Sequence, residues 1–106
     1  MRVIGLDPGT ATTGFGVVEG RGSRLFHVAH GVISTPSDAS FSLRLKMIYD
    51  GVGALLAEYR PEAVAIERLF FKQNVTTGIQ VAQARGVIAL AVEQAGIPIG
   101  EFSPTE

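Results

Sequence analysis

The sequence contains no cysteine and no tryptophan among its 106 residues. Without cysteine, disulfide bonds and thiolate metal sites are excluded. No apolar stretch approaches the roughly 18 residues that a transmembrane helix needs, and the N-terminus lacks the basic segment and apolar run of a signal peptide. We therefore expect a cytoplasmic protein that makes no contact with membranes.

Charge of either sign is also scarce. Nine lysines and arginines stand against ten acidic residues, which gives a formal net charge of −1, so the chain carries no overall electrostatic signature of nucleic-acid binding. Hydrophobic residues make up 46% of the chain, although a domain this small has little interior in which to bury them. We expect the domain either to associate with a partner or to lack part of its cover.

The pattern of apolar residues predicts an α/β fold. Two β-rich runs follow a short first strand and suggest a hairpin, and two helices then alternate with two further strands. Gly51 and Gly53 interrupt the first helix, where close approach of another element would be a reason to tolerate them. The predicted elements are strands at 2–6, 12–20, 24–34, 63–67 and 97–102, helices from 41 to before Pro61 and from about 75 to 94, and a loop at 68–74.

Two carboxylates stand directly at the ends of buried strands. Asp7 follows the first strand and Glu67 ends the strand at 63–67. If these strands pair in parallel through a right-handed crossover, both acids lie at the carboxyl edge of the sheet, where open α/β sheets place their ligands. Two neighbouring carboxylates need a proton or a cation between them, and Mg²⁺ suits such a pair. The simpler interpretation is that Asp7 caps a turn and Glu67 is the first polar residue past a strand.

His27 and His30 are the only histidines. Three residues apart on a regular strand, they are expected to lie on opposite faces and so to be unable to share one metal ion.

Four stretches carry a close resemblance to a known family. "GLDPGTATTGFGVVE", "SLRLKMIYDGV", "YRPEAVAIERLFFKQN" and "VAQARGVIALAVEQAGIPIGEFSP" together cover nearly the whole chain. They resemble the RuvC family of Holliday-junction resolvases, nucleases of the RNase H-like superfamily. "DPGT" alone is unspecific, because actin-like ATPases and sugar kinases place a similar motif after a first strand, but "AIE" followed by Phe-Phe-Lys-x-Asn is much narrower.

The resemblance implies an RNase H-like fold, with a mixed five-stranded sheet whose first three strands are antiparallel and whose later strands are parallel. It implies a homodimer that nicks four-way DNA junctions symmetrically with two Mg²⁺ ions, Mn²⁺ being an alternative, and that works with the branch-migration proteins RuvA and RuvB. Asp7 and Glu67 match the first two metal-binding, catalytic carboxylates of the family. Phe70 matches an aromatic residue that stacks near the crossover, and Lys72, Asn74 and Arg85 are candidate DNA contacts.

The family's other two acidic ligands lie on a C-terminal helix beyond residue 106. We therefore expect residues 1–106 to form a single, incomplete nuclease domain that is inactive or weakly active by itself. Glu101, within the last strand, and Glu106, at the terminus, are unconvincing substitutes.

Three alternatives remain open. The first is another RNase H-like branch, the YqgF-type nucleases, which resemble this chain at the first strand. The second is half of an actin-like ATPase or kinase, which would need a second domain of similar fold. The third is a non-catalytic dimerisation or DNA-binding module.

Overall fold

The computed structural model describes residues 1–67 and 75–102. Within these ranges the elements follow the predicted order: β1 (Arg2–Asp7), β2 (Thr12–Arg21), β3 (Arg24–Ser34), α1 (Phe41–Tyr59), β4 (Ala63–Glu67), α2 (Val75–Gln94) and β5 (Ile99–Phe102). The predicted loop at 68–74 lies outside the described residues.

The five strands form one mixed sheet in the order β3-β2-β1-β4-β5. β1 and β3 pair antiparallel with β2, whereas β4 pairs in parallel with both β1 and β5. The predicted architecture is therefore confirmed. β1 lies at the centre of the sheet, and its alternate residues Ile4 and Leu6 are buried completely or almost so.

Both described helices cover the same face of the sheet. α1 and α2 pack against each other and against inward side chains of β1, β2 and β4, which encloses a single core. The core comprises Ile4, Leu6, Val17, Ile48, Val52, Leu56, Val64, Ile66, Ala84, Ile88, Ala91 and Val92. On the opposite face, β1 presents Val3 and Gly5, which are only half-buried. We call this second side the open face.

Local chemistry sets the ends of α1. The Ser40 hydroxyl accepts a hydrogen bond from the Leu43 N–H, 3.2 Å away, which is the expected capping interaction. At the other end Arg60 adopts the left-handed conformation, with φ 47°, and its N–H donates to the Leu56 carbonyl. Pro61 follows and prevents further helix, as predicted.

β5 begins two residues later than predicted. The Ile97 N–H donates to the Val92 carbonyl and so helps to end α2, and Pro98 has no N–H to contribute to a sheet. The Pro98 carbonyl nevertheless accepts from the Val64 N–H at 3.0 Å. The segment before Ile99 thus belongs to the helix end as much as to the sheet.

The two glycines of α1 differ in their surroundings, and this difference yields a prediction. A Cβ at Gly51 would lie 2.9 Å from Ile33 Cγ2, whereas a Cβ at Gly53 would have nothing within 4 Å. Gly53→Ala should stabilise the chain by up to about 1 kcal/mol through helix propensity. At Gly51 the displacement of Ile33 opposes the same gain. Urea denaturation should therefore rank Gly53→Ala above Gly51→Ala, and equal midpoints for the two variants would contradict the close contact.

Candidate metal-binding edge of the sheet

Strand register brings Asp7 and Glu67 together. In the parallel pairing of β1 and β4, Leu6 lies beside Ile66, so the next residues on the two strands are Asp7 and Glu67. Leu6 and Ile66 face the core, and side chains alternate along a strand, so both acids point to the open face. The prediction that these two residues lie side by side at the carboxyl edge of the sheet is confirmed.

The two side chains interact directly. A hydrogen bond to Asp7 raises the pKa of the Glu67 carboxyl above its ordinary value, and partial burial and the Asp7 charge act in the same direction. The protonated form of Glu67 donates this bond, because two carboxylate anions cannot share a hydrogen bond. Asp7 is exposed and Glu67 is half-buried, so the pair is open to a cation that would take the place of the proton.

This shift predicts a pH dependence of stability. The folded chain retains a proton on Glu67 at pH values where the unfolded chain has lost it, so the contribution of this group to stability falls as pH rises through the raised pKa. The loss should stay below about 1 kcal/mol because the pair is open to solvent. Urea denaturation in EDTA should show a larger decline from pH 4.5 to pH 7 for the unmodified chain than for Glu67→Gln.

The comparison with Glu67→Gln is needed because Glu19 has the opposite effect. The pKa of Glu19 is lowered chiefly by its hydrogen bond to the N-terminal amino group, and its contribution to stability therefore grows as pH rises. Subtracting the Glu67→Gln curve leaves the Glu67 contribution alone. Identical pH slopes for the two chains would contradict the interaction with Asp7.

A hydrogen-bonded turn fixes the chain that follows Asp7. The hydroxyl of the fully buried Thr13 donates to the Gly9 carbonyl at 2.8 Å and accepts from the Gly9 N–H at 3.4 Å. A Cβ at Gly9 would lie 2.2 Å from the Thr12 carbonyl oxygen. The turn therefore requires glycine at this position, two residues after Asp7 in the chain.

A second set of contacts ties this turn to the rest of the fold. The Thr35 hydroxyl donates to the Thr10 carbonyl at 2.6 Å and accepts from Arg44 Nε at 2.9 Å. The Thr35 N–H also donates to the Ala11 carbonyl at 3.0 Å. Arg44 belongs to α1, so the helix, the end of β3 and the turn after Asp7 are held as one unit. Sequence reasoning missed Thr13, Thr35 and Arg44.

Several positions of β1 and β2 beside Asp7 are glycines and carry no side chain. Gly14 lies opposite Asp7 in β2, and its ideal Cβ position is 3.8 Å from Asp7 Cβ. Gly5 and Gly16 face each other two residues along, and a Cβ at either would meet nothing within 4 Å. The backbone next to the carboxylates is therefore accessible from the open face.

The other predicted site residues are placed less fully. Phe70, Lys72 and Asn74 lie outside the described residues. Arg85 lies on α2 and is half-buried. Glu101 is in β5, paired with Ile66 of β4, as expected for a residue of the last strand.

The expectation for the two histidines is wrong. His27 Nε2 and His30 Nδ1 lie 2.8 Å apart, so both rings are on the same face. The cause is a β-bulge: Val17 pairs with Ala29 and Val18 with His27, which leaves Val28 as an extra residue between them. One extra residue shifts the alternation of side chains, so that positions 27 and 30 point the same way.

A family comparison identifies the family of the chain. The model of the family described as crossover junction endodeoxyribonuclease RuvC matches residues 3–106. The chain belongs to the RuvC family. Nucleases of this family are metal-dependent, and the RNase H-like fold class is confirmed.

Individual relatives agree with this assignment. The crossover junction endodeoxyribonuclease RuvC of Brevibacillus brevis is 49% identical over 106 residues, which are all of this chain and 64% of that protein. The Rubrobacter xylanophilus RuvC is 52% identical over 104 residues, or 98% of this chain and 58% of that protein. The chain thus spans about 60% of the length of these curated relatives.

A solved structure shares the fold closely. The structure described as T. thermophilus RuvC in complex with Holliday junction substrate superimposes with a TM-score of 0.91 at 31% identity. The match covers 99% of this chain and 67% of the other. None of the described helices of this RuvC family member is long and apolar enough to cross a membrane.

Proposed function

We propose that this chain supplies the first two metal ligands of a RuvC-type endonuclease that resolves four-way DNA junctions by symmetrical nicking. The observation that carries the proposal is the β1–β4 register, which sets Asp7 and Glu67 side by side on the open face. The raised pKa of Glu67 beside Asp7 supports it, because two carboxylates this close repel each other and a cation between them relieves that repulsion.

The donor set fits Mg²⁺. Carboxylate oxygens are the ligands that this hard ion prefers, and it commonly takes only one or two of them from a protein. Bound at this edge, two such ions would stabilise the attacking and leaving oxygens of an in-line phosphodiester displacement. Asp7 and Glu67 contribute a charge of −2 against the +4 of two ions, so we expect weak binding by these acids alone and tighter binding when DNA phosphate or further acids are present.

The protein's own contribution is to hold the metal-binding carboxylates in position. The turn at Gly9 and the contacts through Thr13 and Thr35 fix the backbone that follows Asp7, which limits the directions in which its carboxylate can point. Gly14 and Gly16 carry no side chains, which leaves space beside the acids for a phosphodiester to approach. Both features favour a site that is formed before substrate arrives.

We propose that residues after Glu67 recognise the junction. Phe70 is proposed to stack on a base near the crossover, an interaction worth about 1–3 kcal/mol per base, and Lys72, Asn74 and Arg85 to contact the DNA backbone. A homodimer and cooperation with RuvA and RuvB are proposed from family membership. Ile79 and Leu90 on α2, each 51% exposed, support an association through apolar surface.

The test uses the chain in two forms. One is the 106-residue chain, and the other is the same chain joined at its C-terminus to the part of the Brevibacillus brevis relative that this chain does not cover. Each is incubated with a labelled four-way junction and with a linear duplex of the same sequence, in Mg²⁺ and in EDTA. Paired nicks of the junction by the fused chain, in Mg²⁺ only, are expected.

Comparing the two forms shows whether the site needs further metal ligands or whether Asp7 and Glu67 suffice. Cleavage by the fused chain alone supports a site that needs further ligands, whereas cleavage by the 106-residue chain would refute the argument from charge. If the fused chain folds and binds the junction but cuts neither DNA, the nuclease proposal fails and a binding module takes its place.

A further inference from the structure

The two histidines on β3 form a pair that the proposed nuclease site does not use. Both side chains are exposed, and the rings lie with their centroids 5.0 Å apart and their planes inclined at 53°. His27 Nε2 and His30 Nδ1 are 2.8 Å apart. The bulge at Val28 creates this arrangement, since a regular strand would send the rings to opposite faces.

The spacing of the two nitrogens is slightly shorter than the spacing that a single bound metal ion requires. Imidazole nitrogens bind Zn²⁺ at about 2.0–2.1 Å. At coordination angles between 90° and the tetrahedral value, two such nitrogens are separated by about 2.9–3.4 Å. The pair at 2.8 Å therefore needs only a small opening and a reorientation of the rings to receive an ion in place of the shared proton.

We propose that His27 and His30 bind one transition-metal cation of the Zn²⁺, Ni²⁺ or Cu²⁺ class, with water at the remaining positions. Imidazole suits these ions, whereas Mg²⁺ prefers oxygen ligands. Among residues 1–67 and 75–102 no cluster of three or more histidine, aspartate or glutamate side chains could hold a metal. The site is thus a two-residue chelate, open to solvent and exchangeable, and Cu²⁺ should bind more tightly than Ni²⁺ or Zn²⁺.

The pair is separate from the carboxylates. His30 lies opposite Gly16 of β2, which in turn pairs with Gly5 of β1. Two strand spacings and a two-residue offset put the His30 backbone about 12 Å from that of Asp7. One ion cannot bridge the two sites, so the domain would sort cations by ligand type, with nitrogen at the edge strand and oxygen at the carboxyl edge.

Titration of the tag-free chain with Cu²⁺, Ni²⁺ and Zn²⁺ tests the inference directly, because these are its only histidines and it has no cysteine. Calorimetry should give one ion per chain, undisturbed by excess Mg²⁺. Proton–nitrogen spectra of the imidazoles in Zn²⁺ should shift both rings together. His27→Gln and His30→Gln should each weaken binding at least tenfold, whereas Leu25→Ala on the same strand should not.

Circular dichroism of each variant verifies that it is folded, and the ring spectra of the unmodified chain test the pair without any substitution. Absence of binding would overturn the proposal. Binding that persists in both glutamine variants, or that Mg²⁺ displaces, would also overturn it by assigning the ion to the carboxylates. None of these results depends on junction cleavage.

Discussion

Asp7→Asn and Glu67→Gln are each expected to lower the rate of junction cleavage by the fused chain at least about 100-fold. Loss of residues that merely orient metal ligands already costs 10–100-fold in activity or metal affinity, and these substitutions remove a ligand charge itself. Both acids stand at one edge in register, so neither can replace the other. The measurement is the single-turnover rate on a labelled four-way junction in Mg²⁺.

Two controls are available: a substitution of an acid far from the site, and the stability of the two site variants. Glu93→Gln removes one negative charge at an exposed position in the last turn of α2 and should leave the rate unchanged. Without divalent metal, the two site variants should be at least as stable as the unmodified chain at pH 7, because each removes one of two interacting carboxylates. A loss of cleavage accompanied by lower stability would indicate unfolding rather than loss of a ligand.

Most of the fold could be predicted from sequence because its signals are local. Alternation in β1 and β4, the stripe of α1 and the proline after Arg60 each act within a few residues, and the observed boundaries of these elements agree to within a residue or two. Asp7 and Glu67 were placed together because the rules for parallel strands convert two local strand ends into one edge. That inference needed no knowledge of side-chain contacts.

The histidine pair shows where such reasoning fails. Alternation assumes that every residue of β3 has a partner in β2, and the bulge at Val28 breaks this assumption. The position of a bulge depends on how two strands pair along their length, so no pattern within β3 alone reveals it. Thr35 was missed for a related reason, since it reaches Thr10 across 25 residues of chain.

Gly9→Ala should destabilise the 106-residue chain by about 1–3 kcal/mol, the usual range for an overpacked position. The new methyl would lie 2.2 Å from the Thr12 carbonyl oxygen, and a backbone atom cannot rotate away as a flexible side chain can. The turn must therefore open, which strains both hydrogen bonds between Gly9 and Thr13. For a domain of this size each 1 kcal/mol corresponds to a change of about 4–8 °C in Tm.

Gly5→Ala is the matched control, because it adds the same methyl two residues before Asp7 instead of two after it. A Cβ there meets nothing within 4 Å, and replacing glycine within a strand recovers up to about 1 kcal/mol of backbone entropy. Thermal melts should therefore separate the two variants by several degrees in opposite directions. Equal Tm values would mean that the turn is free to relax, and that the position of the Asp7 carboxylate does not depend on it.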